Sequence, residues 1–417
     1  MMLRALFSGV SGLRNQQTAM DVIGNNIANV NTVGFKASRA SFKEAFVQLL
    51  QGATRPAGTQ GGTDPVQIGN GMDLAGIDQL FTQGGLESTG QPFDFAIQGD
   101  GLFVLNNGNG HVYSRAGNFQ LDADGHLVLG NTGYILQGIN ADPLGNFSSG
   151  AAIGDIQLQL GQRSPAQQTS TIGLTGNLDA GAAVGATHTM SITTYDSAGG
   201  SHDIQIVFTN TGPGAWSWTA SSTSGTVTPA GTGTVTFNAN GSLASFTYPG
   251  GGTNLTITPT AGSPYPITIG AGTVNGIDGL TGFASASNAV VNSQDGYTSG
   301  DLMNVTVDQH GVITGYFSNG VSRNLAQIAL ASFNNPAGLQ RLGDNVYQES
   351  SNSGLPVVGF SGGGNQSTIT AGALESSNVD LSQEFTNMII AQRGFQANAR
   401  VITTADEMLN ELVNLRH

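Results

Sequence analysis

A serine in a glycine-rich setting is the first candidate for chemistry in this 417-residue chain. The sequence Gly-Phe-Ser-Gly-Gly at residues 359–363 matches the G-x-S-x-G pattern, in which a nucleophilic serine sits between a strand and a helix. That motif requires an acid and a histidine downstream. A Gly- and Ser-rich stretch follows instead, and the only later histidine is His417. The pattern therefore predicts a linker and not a catalytic serine.

Metal ligands are the second possibility. Residues 122–125 read Asp-Ala-Asp-Gly, like the start of a calcium loop, but position twelve of such a loop would be Gly133 and not a bidentate Glu. A hairpin turn is the favoured interpretation. The six histidines show no zinc-site spacing, and the chain has no cysteine. We therefore predict no catalytic residue, no metal site and no cofactor.

Aromatic and basic side chains offer two further candidates. Trp216 and Trp218 alternate on one strand face, which is more typical of a core than of a ligand platform. Lys36, Arg39 and Lys43 could bind phosphate, but a solvated or inter-subunit face is the favoured interpretation.

Two helices at the chain ends are the elements that would position any assembly surface. Apolar residues recur there at alternating steps of three and four, as in a coiled-coil stripe. The predicted self-assembly residues are Leu6, Val10, Leu13, Met20 and Ile27 near the N-terminus, and Leu381, Phe385, Met388, Phe395, Ala399, Ile402, Leu409 and Val413 near the C-terminus. We predict helices over residues 3–28 and 379–415.

Neither stripe can be buried by a helix standing alone. The two ends must therefore pack on each other, on neighbouring copies, or on both. An ordinary intramolecular helix pair explains the periodicity equally well. The Ser, Asn, Gln and Thr content of the first helix favours a helix surrounded by other helices.

Charge is scarce and segregated along the chain. Charged residues make up 10% of the sequence, well below the roughly 25% of ordinary soluble domains, and the net charge is −14. Residues 1–60 carry a net charge of +4 and residues 371–417 a net charge of −3, which favours docking of the two ends. Residues 164–322 contain seven Asp and no Lys or Arg, which argues against nucleic-acid binding.

Between the helices, the hydrophobic period is two and turn residues recur. Asp124-Gly125 predicts a hairpin. The predicted fold class is mainly β with α-helical termini: two β domains, the second inserted in the first, plus a coiled-coil-like pair of terminal helices. The predicted divisions are a helical assembly domain (1–30 and 375–417), linkers (31–72 and 354–374), a discontinuous first β domain (73–147 and 288–353) and an inserted β domain (148–287). A short helix is also predicted over residues 41–50.

The first residues do not form a cleavable secretory signal, because Arg4, Ser8, Gly9 and Arg14 interrupt any apolar core. No stretch of 18 apolar residues is present that would span a bilayer. If the protein leaves the cell, we expect its export route to recognise another signal.

Four sequence blocks, in this order, resemble the bacterial flagellar axial protein family of rod and hook subunits. They are residues 24–36, 95–104, 372–381 and 388–400. The first block carries the family motif, which falls here on Asn26, Ile27, Ala28, Asn29, Gly34, Phe35 and Lys36. Rod members of the family lack a comparable insertion, so the middle block favours the hook branch.

The resemblance implies a self-assembling structural subunit of the flagellar hook, a flexible universal joint that transmits torque from rod to filament. It implies a homo-polymer that contacts the distal rod protein, the hook cap and the hook–filament junction proteins. The expected location is the extracellular hook of the basal body, reached by type III export. The rival interpretation is a secreted β-rich adhesin or surface-layer protein that binds through the inserted domain.

Overall fold

The computed structural model describes residues 2–55, 61–148, 150–159, 161, 163–362 and 367–414. Its two α-helices are α1 (Met2–Ala28) and α2 (Leu381–Asn414), and short 3-10 helices span Pro249–Gly251 and Pro336–Gly338. The strands of the described residues, numbered β1 to β33 in chain order, are Ser38–Glu44, Val47–Gln51, Val66–Gly69, Met72–Gln79, Leu86–Ser88, Phe95–Gln98, Leu102–Asn106, His111–Ser114, Phe119–Leu121, Leu127–Leu129, Ile135–Asn140, Gly154–Asp155, Arg163–Ser164, Thr171–Asn177, Thr187–Tyr195, Ser201–Gly212, Ala215–Ser222, Gly225–Thr228, Gly233–Phe237, Leu243–Thr247, Leu255–Pro259, Tyr265–Gly270, Leu280–Thr281, Val290–Gln294, Gly300–Val307, Val312–Phe317, Ser322–Ile328, Leu330–Ser332, Gln340–Gly343, Val346–Gln348, Val357–Gly359, Thr368–Ala371 and Ala373–Glu375.

The chain divides into two compact units. Unit 1 comprises residues 1–159, 305–314 and 324–417, and unit 2 comprises residues 160–304 and 315–323. The prediction of a mainly β protein with a helix at each end is confirmed. The finer predicted division into assembly domain, linkers and nested β domains stays a prediction.

Unit 2 is a sandwich of two β-sheets. Strands β15, β16, β17, β19 and β20 form one sheet in that order. Strands β18, β21, β22, β14 and β23 form the other, in which β24 also pairs with β14. Their apolar faces enclose a common core, as alternation along half-buried strands requires. Trp216 and Trp218 lie in this core at 1% and 0% exposure, so the prediction that they are core residues is confirmed.

Unit 1 combines the terminal helices with a second β core. Strands β27, β11, β7, β8, β30 and β29 pair in that order. Apolar side chains of these strands, including Val104, Tyr113 and Tyr347, pack together in a buried cluster. The predicted hairpin at Asp124-Gly125 is confirmed, because β9 and β10 pair antiparallel with Leu121 opposite Leu127.

The short helix predicted over residues 41–50 is wrong. Residues 38–44 pair with β4, and residues 47–51 pair with β3, so this segment is one side of a two-stranded ribbon. Asn15 of α1 donates a hydrogen bond from Nδ2 to the Met72 carbonyl at 2.8 Å, which ties the ribbon to the helix. These non-local pairings outweigh the helix propensity of the segment. The predicted linkers likewise contain strands, namely β1 to β3 before residue 72 and β31 to β33 after residue 354.

Helix α2 begins at a side-chain cap. The Asp380 carboxylate accepts hydrogen bonds from the backbone N–H groups of Ser382 and Gln383 at 2.8 and 3.2 Å, which satisfies two donors of the first turn. The predicted domain boundary at residue 375 falls inside β33, six residues before the helix. None of the helices in the described part of the chain is both long and apolar enough to cross a membrane.

Gly34 and Gly24 provide a matched test of this fold. Gly34 has φ +67°, and a Cβ atom there would lie 2.6 Å from the Ala116 backbone nitrogen, whereas a Cβ atom on Gly24 of α1 would meet nothing within 4 Å. We expect Gly34→Ala to lower the free energy of unfolding by about 1–3 kcal/mol, because the backbone is strained and the neighbouring chain must move. Gly24→Ala should raise it by about 0.5–1 kcal/mol. Urea unfolding of the monomer measures both, and equal effects of the two changes would contradict the assigned backbone path.

Candidate assembly site

The two terminal helices pack antiparallel along a seam of small and polar residues. A Cβ atom on Gly9 would lie 3.0 Å from Cγ1 of Ile402, and one on Gly12 would lie 2.5 Å from Nδ2 of Asn398. The pairing of 9 with 402 and 12 with 398 gives the helices opposite directions. Because neither glycine carries a side chain, the two backbones approach closely at this end of the seam.

The seam uses a stripe of α1 that lies one residue before the predicted one. The positions that face inward are Gly9, Gly12, Gln16, Ala19, Ile23 and Asn26, and they keep the alternating steps of three and four. One residue corresponds to a rotation of about 100° around a helix of 3.6 residues per turn. The apolar pattern therefore located the period correctly, but it did not identify the side that contacts α2.

The predicted self-assembly residues accordingly stay partly open to solvent. Val10, Leu381, Phe385 and Phe395 are exposed at 39%, 39%, 53% and 36%. The half-buried members are Leu6, Leu13, Met20, Ile27, Met388, Ala399, Ile402 and Leu409. The side chain of Val413 lies outside the described residues. Contact of these residues with other copies remains a prediction.

A buried cluster of three charges joins distant parts of unit 1. Lys36 Nζ lies 2.7 Å from Glu375 Oε1, and Arg115 Nε lies 2.5 Å from Glu375 Oε2. The three side chains are at most 4% exposed. Lys36 follows α1, Arg115 follows β8 and Glu375 ends β33, so the cluster connects the N-terminal segment, the β core and the approach to α2.

The remaining polar atoms of the cluster also find partners. Lys36 Nζ donates to the Thr82 carbonyl at 2.7 Å, and Arg115 donates to the carbonyls of Ile97, at 2.9 Å, and Gly101. Glu375 Oε1 accepts a further bond from the Gly84 N–H at 2.8 Å. Removal of Glu375 would leave two buried cations without a counter-charge, which is the costly case for buried ion pairs.

Protonation of the cluster follows from its composition of two cations and one anion. Burial raises the pKa of the Glu375 carboxyl, but the charges and hydrogen bonds of Arg115 and Lys36 outweigh burial and hold that pKa below its usual value. Burial lowers the pKa of Lys36, aided by Arg115 and opposed by the bond to Glu375. The carboxylate is therefore the well-stabilised member, and the lysine carries the desolvation cost.

Two asparagine amides hold the chain segments beside this cluster. Asn26 accepts a bond from the Ser38 N–H at 2.9 Å and donates one to the Ser38 carbonyl at 2.8 Å. Asn378 accepts from the Ala37 N–H at 2.8 Å and donates to the Leu80 carbonyl at 2.7 Å. Each amide provides hydrogen-bond partners for backbone N–H and carbonyl groups. Asn26 does so from the last turn of α1, and Asn378 does so just before the start of α2.

The predicted motif residues divide into buried and exposed members. Gly34, Phe35 and Lys36 are buried, as is Asn26, while Ile27 and Asn29 are half-buried and Ala28 is exposed. The expectation that Lys36 lies on a solvated or inter-subunit face is wrong, because its charge is neutralised inside unit 1. Arg115, Glu375 and Asn378 were not singled out from the sequence. The available signal was that Glu375 and Asn378 lie inside the 372–381 block that resembles the family.

The candidate chemical groups have structural partners. Ser361 is buried and donates its Oγ hydrogen to the Gln309 carbonyl at 3.0 Å. Asp122, Asp124 and His126 place one possible ligand atom each within 4.8 Å of one another, but the Asp122 carboxylate accepts the N–H groups of Asp124 and His126 and so closes the hairpin turn.

Comparison with known proteins places these features in one family. Four family models match: "Flagella basal body rod protein" at residues 6–36, "Flagellar hook protein FlgE/F/G D1 domain" at 96–180, "Flagellar basal body protein FlaE D2 domain" at 162–297 and "Flagellar basal body rod FlgEFG protein C-terminal" at 370–415. The flagellar hook protein FlgE of Borreliella burgdorferi is 39% identical over 446 residues and covers 100% of both chains. The chain belongs to the flagellar hook protein family.

Further relatives agree with this assignment. The flagellar hook protein FlgE of Treponema pallidum is 40% identical over 462 residues, again with 100% of each chain covered. A crystal structure of Helicobacter pylori flagellar hook protein FlgE2 matches with a TM-score of 0.53 and 16% identity, covering 70% of this chain and 100% of that one, which shows a shared fold. Hook-family proteins are structural subunits, so the prediction of a non-enzymatic protein is confirmed. The adhesin interpretation has no support.

Lys36 and Lys43 provide a matched test of the buried cluster in this hook-family chain. We expect Lys36→Met to lower the free energy of unfolding by about 1–3 kcal/mol, because the Thr82 carbonyl and Glu375 Oε1 each lose a buried hydrogen bond while Arg115 still pairs with Glu375. Lys43 is exposed, so Lys43→Met should change it by less than about 0.5 kcal/mol. Urea titration of the monomer gives both values, and a similar small effect at the two positions would show that the cluster contributes no stability.

Acid should weaken the same cluster. A carboxyl whose native pKa is lowered stabilises the fold above its unfolded pKa, about 4.3 for Glu, and loses this contribution as the pH falls towards the native value. The difference in unfolding free energy between wild type and Glu375→Gln should therefore be largest above pH about 4.3 and should narrow below it. Glu87→Gln, at an exposed position, is the control. A difference that stayed constant from pH 7 to pH 3 would contradict the assigned ionisation.

Proposed function

We propose that this chain polymerises through its terminal helices into the tubular hook, and that the tube acts as the flexible joint that transmits torque from rod to filament. One observation carries the proposal: the helix pair retains large apolar side chains that its own chain does not cover. The exposed members are Phe7, Val10, Leu381, Phe385, Ile389, Ile390, Phe395, Val401 and Met408, with exposures from 36% to 69%. An apolar surface of this kind on a helix is typical of an association site.

The β1–β4 ribbon supplies a second apolar surface. Phe46, Leu49 and Leu50 are 81%, 56% and 51% exposed, and they lie in or beside β2, which pairs only with β3 among the described residues. A two-stranded ribbon is marginal by itself in water. We infer that this ribbon also contacts neighbouring copies in the polymer.

We propose the arrangement in the tube from the resemblance to the hook family. The terminal helices would line the inner wall, the first β domain (73–147 and 288–353) would form the middle shell, and residues 148–287 would face outward. Arg163 is the only Lys or Arg in residues 148–287, so contacts between copies of this block can use few ion pairs. Weak polar and small apolar contacts can break and re-form as a rotating joint bends.

Assembly with other flagellar parts follows from the family. We propose that the ends of the polymer meet the distal rod protein, the hook cap and the hook–filament junction proteins. We also propose that the flagellar type III route exports the chain to the extracellular hook.

Phe385→Asp tests the proposed assembly surface. Phe385 is 53% exposed in the first turns of α2, where Asp is well tolerated in a monomer. In a polymer the charge would be buried without a partner, at a cost of several kcal/mol. We expect the variant to keep the thermal midpoint of the monomer within a few degrees and to form no tubes at concentrations where wild type does. Electron microscopy and sedimentation of the purified full-length chain are the measurements.

The neighbouring exposed Thr386 provides the control. Thr386→Asp places the same charge about 100° around the helix and should assemble more readily than Phe385→Asp. Tubes formed equally well by Phe385→Asp and wild type would remove this helix face from the assembly surface. Wild-type chains that never form tubes would overturn the proposed function itself.

A further inference from the structure

Asn-Gly pairs recur along this chain, and such pairs can react with their own backbone. The six pairs are Asn70-Gly71, Asn107-Gly108, Asn109-Gly110, Asn240-Gly241, Asn275-Gly276 and Asn319-Gly320. In each pair the glycine nitrogen can approach the Cγ atom of the asparagine side chain, because glycine has no Cβ that would hinder the approach. All six share the same two residues, so the sequence alone does not separate them.

The reaction is a deamidation, and water is its only co-reactant. The glycine nitrogen loses its proton and bonds to the asparagine Cγ atom, and the side-chain nitrogen leaves as ammonia. Water then opens the cyclic imide at either of its two carbonyl carbons, which gives aspartate or isoaspartate. Ring closure requires a glycine N–H that is not engaged in a hydrogen bond, together with a side chain and a backbone that can rotate. The fold therefore decides which pair reacts.

Hydrogen bonds restrain four of the six pairs. The glycine N–H groups donate at 2.8–3.0 Å, from Gly108 to Asn106 Oδ1, from Gly241 to the Asn238 carbonyl, from Gly276 to the Thr273 carbonyl and from Gly320 to the Phe317 carbonyl. The side-chain oxygen of each of these four asparagines also accepts a hydrogen bond from a backbone or amide N–H, at 2.9–3.1 Å. Ring closure in these pairs would therefore break at least two hydrogen bonds.

Asn70-Gly71 is restrained by its position against α1. The Gly71 N–H has no acceptor among the described residues, but the main chain is bonded on both sides of it. The Asn70 N–H donates to the Phe46 carbonyl at 2.9 Å, and the Ala45 N–H donates to the Gly71 carbonyl at 3.0 Å. Gly71 lies close to Ser11 of α1, and the Asn70 Oδ1 atom is buried. Neither the side chain nor the backbone is free to rotate towards ring closure.

Asn109-Gly110 lacks these restraints. It lies at the exposed tip of the hairpin that joins β7 to β8. Among the described residues, the Gly110 N–H has no acceptor and the Asn109 side chain makes no hydrogen bond. The Asn107 N–H donates to the Gly110 carbonyl at 3.2 Å, which leaves the Gly110 nitrogen unoccupied. A Cβ atom on Gly110 would meet nothing within 4 Å, so the attacking nitrogen lies in open space.

From this comparison we propose that Asn109 is a modification site, at which the Gly110 nitrogen and water convert the side chain to aspartate or isoaspartate. Each converted copy gains one negative charge on unit 1, added to the net charge of −14. Isoaspartate also lengthens the main chain of the turn between β7 and β8, two strands that contribute Val104 and Tyr113 to the core of unit 1. The reaction needs no second copy, so it is independent of the proposed polymerisation.

Incubation of the purified full-length monomer at mildly alkaline pH, followed by peptide mass spectrometry with fragmentation, measures the conversion of all six asparagines. We expect Asn109 to convert about tenfold faster than any of the other five, which corresponds to about 1.4 kcal/mol of activation free energy. Breaking one or two hydrogen bonds in the other pairs costs an amount of this size. The same incubation in concentrated urea removes the fold, and the six rates should then become similar.

Gly110→Ala tests the attacking nitrogen, because a methyl group fits at this position and hinders ring closure. It should slow the conversion of Asn109 about tenfold and keep the thermal midpoint of the wild type. Gly52→Ala is the matched control: a Cβ atom there also meets nothing within 4 Å, and the rate at Asn109 should not change.

Three results would overturn the assignment of the site. They are similar rates at all six pairs in the folded chain, a preference for Asn109 that persists in urea, and an unchanged rate at Asn109 in Gly110→Ala. Each of these measurements uses the monomer, so none of them bears on tube formation. Failure of the wild type to form tubes would overturn the proposed function and leave the modification site intact.

Discussion

The buried contact of Glu375 with Lys36 and Arg115 is the interaction on which the organisation of unit 1 depends. It brings together residues separated by 339 and 260 positions in sequence. A hydrophobic core could cluster these segments without fixing their mutual positions. Ion pairs and hydrogen bonds at 2.5–2.8 Å allow one arrangement only, because any shift leaves a buried charge or N–H group without a partner. The N-terminal and C-terminal segments consequently leave the β core from one defined place.

The charge cluster lies just after the end of α1 and just before the start of α2, so it fixes the positions of these two helix ends. The interface between the helices can then bury little apolar surface. Gly9, Gly12 and Asn398 meet where a coiled coil would place larger apolar residues. The larger apolar side chains of both helices remain on other faces. This division of roles suits a subunit whose helices bind each other through one surface and neighbouring copies through another.

Unit 2 follows a different physical plan. Its stability comes from a large apolar core between two sheets, in which Trp216, Trp218 and Phe208 are fully buried, while its surface has almost no positive charge. Such a unit keeps its shape without help from neighbours. This agrees with the proposed polymer, in which unit 1 makes the firm contacts and unit 2 makes contacts that change as the tube bends.

The sequence by itself determined the helix periods, the alternating strands, the Asp124-Gly125 hairpin and the core tryptophans. Each of these depends on residues that are close along the chain. The family motifs likewise revealed the family. The sequence did not reveal which side of α1 meets α2, since a shift of one residue preserves the heptad pattern and only the close approach at Gly9 and Gly12 distinguishes the two sides. Residues 41–50 were assigned wrongly because their partners, in β3 and β4, lie up to 35 residues away, as Gly76 does from Ser41. The burial of Lys36 was decided by tertiary structure alone, because its two partners, Glu375 and Thr82, come from distant segments whose meeting no local pattern encodes.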